Sequence, residues 1–196
     1  MSSIPNPAGS QTSLEGSNHR FKAIDPAAAL GEAKDLLRAV ELRYGGVPNS
    51  FRVMANSPQT LGGFRGLSDT LGGGLLSAET RSQIAIAVSE LNQCPYCLSA
   101  FTALGRAGGI SDRALDACRM AGSDDPKTDA ALKFSQAIVK NHGAVSEKDF
   151  TKVRAAGYSD SEILEIVANV ALYTFANYVN LVAKTEIDFP LVVPHK

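Results

Sequence analysis

From Pro26 onward the chain is punctuated as a succession of helices, and this start-and-stop chemistry limits the fold more than any other feature. Apolar residues recur at intervals of three and four, in runs opened by Ser or Pro and several closed by Gly. Pro26 suits the first position of a helix through AAALGEAKDLLRAVELRYG. Leu30, Ala33, Leu37, Val40 and Tyr44 would share one face, with Gly45-Gly46 as the stop. VPNSFRVMANSP reads as a short helix, and Pro58 opens another that runs toward Gly72-Gly73-Gly74. Ser77 is the expected N-cap of AETRSQIAIAVSELNQ. Gly108-Gly109 ends a further helix, Ser111 caps DRALDACRMA, which Gly122 ends, and Pro126 opens KTDAALKFSQAIVKNHG. Ser146 with Asp149 and Ser159 with Glu162 have capping-box spacing, the second in the stronger Ser/Glu form. Ser159 starts a long helix, EILEIVANVALYTFANYVNLVAK, that is more apolar all round than a solvent-facing helix. It is expected to be buried against other helices or another subunit. The tail IDFPLVVPHK is expected to be extended, and the fold class is predicted to be all-α.

Length and composition set the frame. At 196 residues one domain is the default, and 44% hydrophobic with 20% charged residues is ordinary for a globular chain with a core. Residues 1–20, rich in Ser, Asn, Gly and Pro, are read as a flexible tail, and 21–196 as a single helical domain. The tail has no apolar h-region, so no secretory signal is read. A formal net charge of −1 gives no electrostatic reason to expect nucleic acid or an anionic membrane as partner. No apolar run approaches the roughly 20 residues that span a bilayer. Three cysteines are an odd count for a disulfide-stapled domain, which points to a reducing cytoplasm.

Two of those cysteines lie in QCPYCLSAF, residues 93–101. Such a pair can be a redox couple, half of a zinc site, or two buried small hydrophobes. IAIAV at 84–88 alternates like a strand, and a strand followed by CPYC resembles the start of a glutaredoxin. The flanks AETRSQ and SELNQ favour helix, however, and Ile84, Val88 and Leu91 fall on one helical face. Strands for the rest of a thioredoxin-like sheet are missing. Asn92-Gln93-Cys94-Pro95 reads as a break and restart, with Pro95 at the first helical position and Cys94 as N-cap. Free N–H groups and the helix dipole favour an anion there, so Cys94 is expected to be the more acidic thiol. Cys97, one turn in, can reach it, and the pair could then cycle between dithiol and disulfide. Zinc would need about four ligands. The other candidates are Cys118, His19, His142 and His195, none in a second close pair, so neither a metal nor a cofactor is expected. Cys118 reads as core.

LSAETRSQIAIAVSELNQCPYCLSAFTALGRAGGIS closely resembles the core of the AhpD-like alkylhydroperoxidases, within the carboxymuconolactone decarboxylase superfamily. The similarity extends through GGVPNSFRVMANSPQTLGGFRGLSDTLGGGLLS on one side and RAAGYSDSEILEIVANVALYTFANYVNLVAKTEIDFP on the other, covering about residues 26–190. The resemblance implies an all-helical, AhpD-like multi-helix domain with the C-x-x-C at a helix N-terminus, in a homo-oligomer, often a trimer or hexamer. It implies peroxide reduction by the Cys pair, with a small-molecule peroxide as oxidant and a lipoylated or thioredoxin-like reductant. The family motif is a Glu, eleven residues, C-x-x-C, three residues and a His. Cys94 and Cys97 match it. Tyr96 occupies a position that can carry a relay histidine or tyrosine. The Glu position falls on Ser82 and the His position on Phe101.

Loss of both proton-handling groups implies slow peroxide turnover, since general acid–base assistance is worth about 10²- to 10⁴-fold. Tyr96, Ser99 and Glu90 are the nearby substitutes, although Glu90 reads more readily as a solvated surface carboxylate. The family pattern makes Cys97 the attacking thiol, whereas the helix terminus and Phe101 together favour Cys94, and Cys94 is the expectation adopted. A catalytically impaired member acting as redox sensor is the alternative. A lactone decarboxylase ranks last, because no basic or His cluster is present to hold a carboxylated lactone. His142 reads as a helix end, the Gly-rich 66–77 stretch lacks a phosphate-loop pattern, and Asn177 and Asn180 read as buried hydrogen-bonding groups in an apolar helix.

Overall fold

A computed structural model describes residues 19–195. Most of the tail read as flexible, residues 1–18, lies outside them, as does Lys196. The described residues contain nine α-helices and no strand: α1 Gly31–Tyr44, α2 Asn49–Met54, α3 Pro58–Gly72, α4 Ala78–Leu91, α5 Pro95–Ala107, α6 Asp112–Arg119, α7 Pro126–Lys140, α8 Glu147–Ala155 and α9 Asp160–Ala183.

The caps read at Ser77, Ser111, Ser146 and Ser159 form, and Ser57 and Asp125 cap the helices that Pro58 and Pro126 open. Ser57, Ser77, Ser111, Asp125, Ser146 and Ser159 each accept a hydrogen bond from the backbone N–H three residues on. At Ser159 the box is complete, because Glu162 also accepts from the Ser159 N–H at 2.8 Å. At Ser146 it is half-made: the shorter Asp149 carboxylate takes the serine hydroxyl.

Three readings are corrected. Pro26 does not open a helix. Asp25 instead folds 25–28 into a turn, its carboxylate accepting from Ala27 N–H at 3.0 Å, and α1 starts at Gly31. Leu30 is therefore 83% exposed, while Leu37 and Val40 are buried as expected. After α6 the helix stops at Arg119, and Ala121 rather than Gly122 takes the left-handed conformation, with φ 53°. Finally, α9 is by length and composition long and apolar enough to cross a bilayer. In this structure it runs along the bundle, packed on α2, α3, α4, α5, α7 and α8, with Asn169, Asn177 and Asn180 among its buried residues.

Helix α4 is the axis of the bundle, packed against α5, α6, α7 and α9. Ile84, Ala85, Ile86, Ala87 and Val88 are all fully buried, so the alternation there reflects a helix enclosed on every side. One apolar cluster joins α4 to α5–α9. A second joins α1–α3 to the start of α5 and α9, and contains Leu37, Leu61, Met54, Cys94 and Cys97. The loop before α4 is held by Glu165 of α9, whose carboxylate accepts from Leu75 N–H at 2.8 Å and Leu76 N–H at 3.0 Å. A Cβ at Gly74 would lie 2.6 Å from that carboxylate, so a side chain there would displace Glu165.

Truncating the axis should cost far more than removing a cap. Ile86→Ala is expected to lower stability by about 2–5 kcal/mol and Ser159→Ala by about 1 kcal/mol. Urea denaturation of both variants checks the ranking, and equal effects would contradict the account of α4 as the buried axis.

Candidate active site

The site forms where α4 ends. Gln93 takes a left-handed conformation, φ 54°, held by its backbone and side-chain N–H groups on Glu90 O at 3.0 and 2.9 Å. A non-glycine residue in this region is uncommon and carries strain. The bend turns Cys94 into the N-cap of α5, with Pro95 at the first helical position, as the sequence indicated. Cys94 Sγ accepts from the Cys97 N–H at 3.4 Å.

All three cysteines are free and buried. Cys94 is 0% and Cys97 2% exposed, but only Cys97 reaches the wall of a partly open cavity of about 200 Å³. Its electrostatics invert the expectation that Cys94 is the more acidic thiol. Burial opposes the Cys97 thiolate, yet hydrogen bonds from Cys94, Asn177 and Asn180 outweigh it and bring its pKa below the ordinary thiol value. The Asn180 amide donates to Sγ at 3.2 Å. Cys94 is raised, chiefly because its S–H is given to Cys97 and then because it is buried. Hydrogen bonds to the charged form favour that form, and α9 delivers them to the second cysteine. The helix dipole alone did not decide the outcome. Cys118 is core, and burial lifts its thiol to about 11.

Seven aromatic side chains contribute to the cavity wall. Phe51 contacts Tyr44 and Phe64, with ring centroids at 5.6 and 6.0 Å, Tyr96 meets Phe189 edge-on at 5.9 Å, and Phe101 meets Tyr173 edge-on at 5.1 Å. Ser82 and Phe101, at the positions of the motif Glu and His, both line it. Tyr96 lines it too, its hydroxyl accepting from Ser50 N–H at 3.0 Å. Burial, then the nearby Asp188 carboxylate, push that phenol well above its usual range. Phe189 and Asp188 come from the C-terminal segment. Its Val192 N–H bonds Ser99 Oγ at 2.9 Å and its His195 N–H bonds Glu90.

Two of the suggested substitutes for the relay are engaged elsewhere. Ser99 also donates to Pro95 O at 2.7 Å. Glu90 is not a solvated carboxylate: it is 6% exposed, paired with Arg119 at 2.7 Å and His195 at 3.2 Å, and absent from the cavity wall. Its apolar neighbours in α4 gave no sign of the partners that distant segments supply. The contribution of Asn177 and Asn180 to the thiolate was likewise missed, although both were recognised as buried polar groups. The remaining zinc candidates are scattered, His19 onto Lys184 O and His142 into a groove between α7 and α9. Among the described residues no three His, Cys, Asp or Glu side chains gather as metal ligands.

Comparison with known proteins agrees with this picture. Residues 58–140 match the Carboxymuconolactone decarboxylase family. No curated protein matches the chain. The fold is shared with the alkylhydroperoxidase AhpD core of a peroxidase-related protein from Ralstonia eutropha JMP134, at 26% identity and TM-score 0.77, over 86% of this chain and 92% of that one. A peroxidase-related protein from Silicibacter sp. TM1040 has 23% identity and TM-score 0.75, over 89% and 94%. The debrominase Bmp8, as a cysteine-to-alanine variant in complex with 2,3,4-tribromopyrrole, has 22% identity and TM-score 0.74, over 87% and 92%. The matched segment spans the C-x-x-C bend and the α4 axis, and together with the shared helical architecture it supports a relationship to the AhpD and carboxymuconolactone decarboxylase superfamily.

Proposed function

We propose that this protein is a thiol-dependent oxidoreductase that cycles Cys94 and Cys97 between dithiol and disulfide, with a small organic hydroperoxide as oxidant. The observation that carries this reading is the division of roles between the two sulfurs. Cys97 stands at the cavity wall and is held toward its thiolate, while Cys94 is sealed behind it and shares its hydrogen with it. The Cys97 thiolate attacks the terminal peroxide oxygen. As the S–O bond forms and the O–O bond breaks, sulfur is oxidised to a sulfenic acid, and the departing alkoxide takes a proton from solvent to give the alcohol. Cys94 then attacks that sulfur, and its proton leaves with the hydroxyl as water. An external dithiol, lipoylated or thioredoxin-like, reduces the disulfide. The peroxidase-related neighbour at 26% identity supports the reading. A debrominase among the structural neighbours shows that this fold serves more than one reaction.

Turnover is slow on this reading, because Ser82 and Phe101 put a hydroxyl and a hydrocarbon ring where the motif has a carboxylate and an imidazole. The same observation favours a second reading, a redox sensor oxidised once per signal. A lactone decarboxylase is disfavoured, since among the described residues no charged side chain lines the cavity. The exposed apolar residues Leu164, Val167, Tyr178 and Val182 along α9 support a homo-oligomer.

Limiting iodoacetamide across a pH series, with peptide mapping, is expected to label Cys97 before Cys94. Because the folded pKa of Cys97 is depressed, its thiolate persists to lower pH, and the labelling midpoint falls below the ordinary 9.0. Preferential labelling of Cys94 would refute the assignment of roles.

In a hydroperoxide assay with a dithiol reductant, Cys97→Ser is expected to abolish consumption. With the reductant left out, Cys94→Ser should consume one equivalent and stop at the sulfenic acid. The Ser82→Glu/Phe101→His double variant should gain at least tenfold in kcat/KM, up to the roughly 10²–10⁴ available to acid–base assistance. If both the unmodified chain and the double variant, correctly folded, consume nothing, the cavity is not a peroxidase site.

A further inference from the structure

One polar contact in the Cys97 cavity is left open by the chemistry above. Asn180 is 3% exposed and lines the cavity. Its amide nitrogen donates to Cys97 Sγ at 3.2 Å and to Ala176 O at 3.0 Å. Its carbonyl oxygen, Oδ1, accepts no hydrogen bond from the described residues. A buried acceptor without a donor is unfavourable. Oδ1 belongs to the same planar group that holds the sulfur, so a donor bound there lies alongside Cys97.

The rest of the wall defines what can bring that donor. Its rings offer faces and edges to another ring. Among the described residues it carries no Lys, Arg, His, Asp or Glu, so it offers a charged ligand no ionic partner for the hydration given up on entry. An apolar cavity of about 150 Å³ takes up benzene. The Cys97 cavity, about 200 Å³ and partly open to solvent, therefore has space for a ring with one or two small substituents.

We propose, building on the thiol reading above, that this cavity binds a neutral, single-ring aromatic molecule carrying one O–H or N–H group, which donates to Asn180 Oδ1. In an aryl-substituted hydroperoxide the donor is the terminal O–H, and its oxygen is the atom that Cys97 attacks. Asn180 is then a positioning residue with one amide atom on each reactant: its N–H on the nucleophile and its oxygen on the hydrogen of the electrophile. As S–O forms and O–O breaks, that hydrogen travels with its oxygen to sulfur, and the ring-bearing alkoxide takes a proton from solvent. A site built to pair a donor discriminates against analogues that lack one.

The test separates binding from chemistry. Cys97→Ser removes turnover and keeps the wall, and its affinity for phenol, toluene and benzoate is read by ligand-observed NMR. Phenol is expected to bind at least tenfold more tightly than toluene, with benzoate unbound. Asn180→Leu on that background is expected to bring phenol down to parity with toluene. Equal binding of phenol and toluene with Asn180 intact would overturn the proposal, as would absence of phenol binding at millimolar concentration or a preference for benzoate. Those three outcomes do not depend on the Asn180 variant folding. Phenol preference without hydroperoxide turnover in the unmodified chain sinks the oxidoreductase reading alone. Turnover without phenol preference sinks this one alone.

Discussion

Asn177 and Asn180 project from α9 into the bend between α4 and α5, and the hydrogen bonds they make there hold both the bundle and its chemistry in register. Asn177 donates to Ser89 Oγ at 3.1 Å and accepts from Asn92 at 2.9 Å, while Asn180 donates to Cys97. Apolar packing of α9 on α4 would tolerate sliding, because hydrocarbon surfaces are not directional. Buried carboxamides are not so tolerant, since a shifted register would strand several polar groups away from water. The contacts that fix α9 along its neighbours are thus also the contacts that set the charge state of Cys97.

Most of the architecture was legible in the sequence because helix termini are local events. A Ser three residues ahead of a free N–H, a Pro at the first position and a capping box are read within four residues, and they located the starts of α3 to α9. Where the reading failed, the deciding contact was non-local or of another kind. Pro26 has the right chemistry for a helix start, but Asp25 uses it in a turn. Glu90 looked like a surface residue because Arg119 and the C-terminal segment, which bury it, are 29 and 105 positions away.

The site was legible as a motif and illegible as an electrostatic environment. Spacing put Cys94 at the helix cap and Cys97 one turn in, and the structure keeps both there. The helix terminus acts on both sulfurs, however, so it could not rank them. The ranking came from α9, more than 80 residues downstream, and from a cavity that only Cys97 touches. Ser82 and Phe101 mark the opposite case: both stand in the cavity wall, as motif positions should, with side chains that neither accept nor relay a proton efficiently.

Gathering so many donors around one sulfur also biases the redox balance of the pair. The Asn180 N–H and the positive end of α5 interact best with a negatively charged sulfur. Once the two sulfurs are joined that charge is gone, and both contacts weaken. Groups that stabilise the reduced form raise the reduction potential of a dithiol couple. On the proposed cycle, the contacts that favour the Cys97 thiolate would also favour the reduced pair, and a Cys94–Cys97 bond formed at the bend between α4 and α5 would open again to a modest reductant.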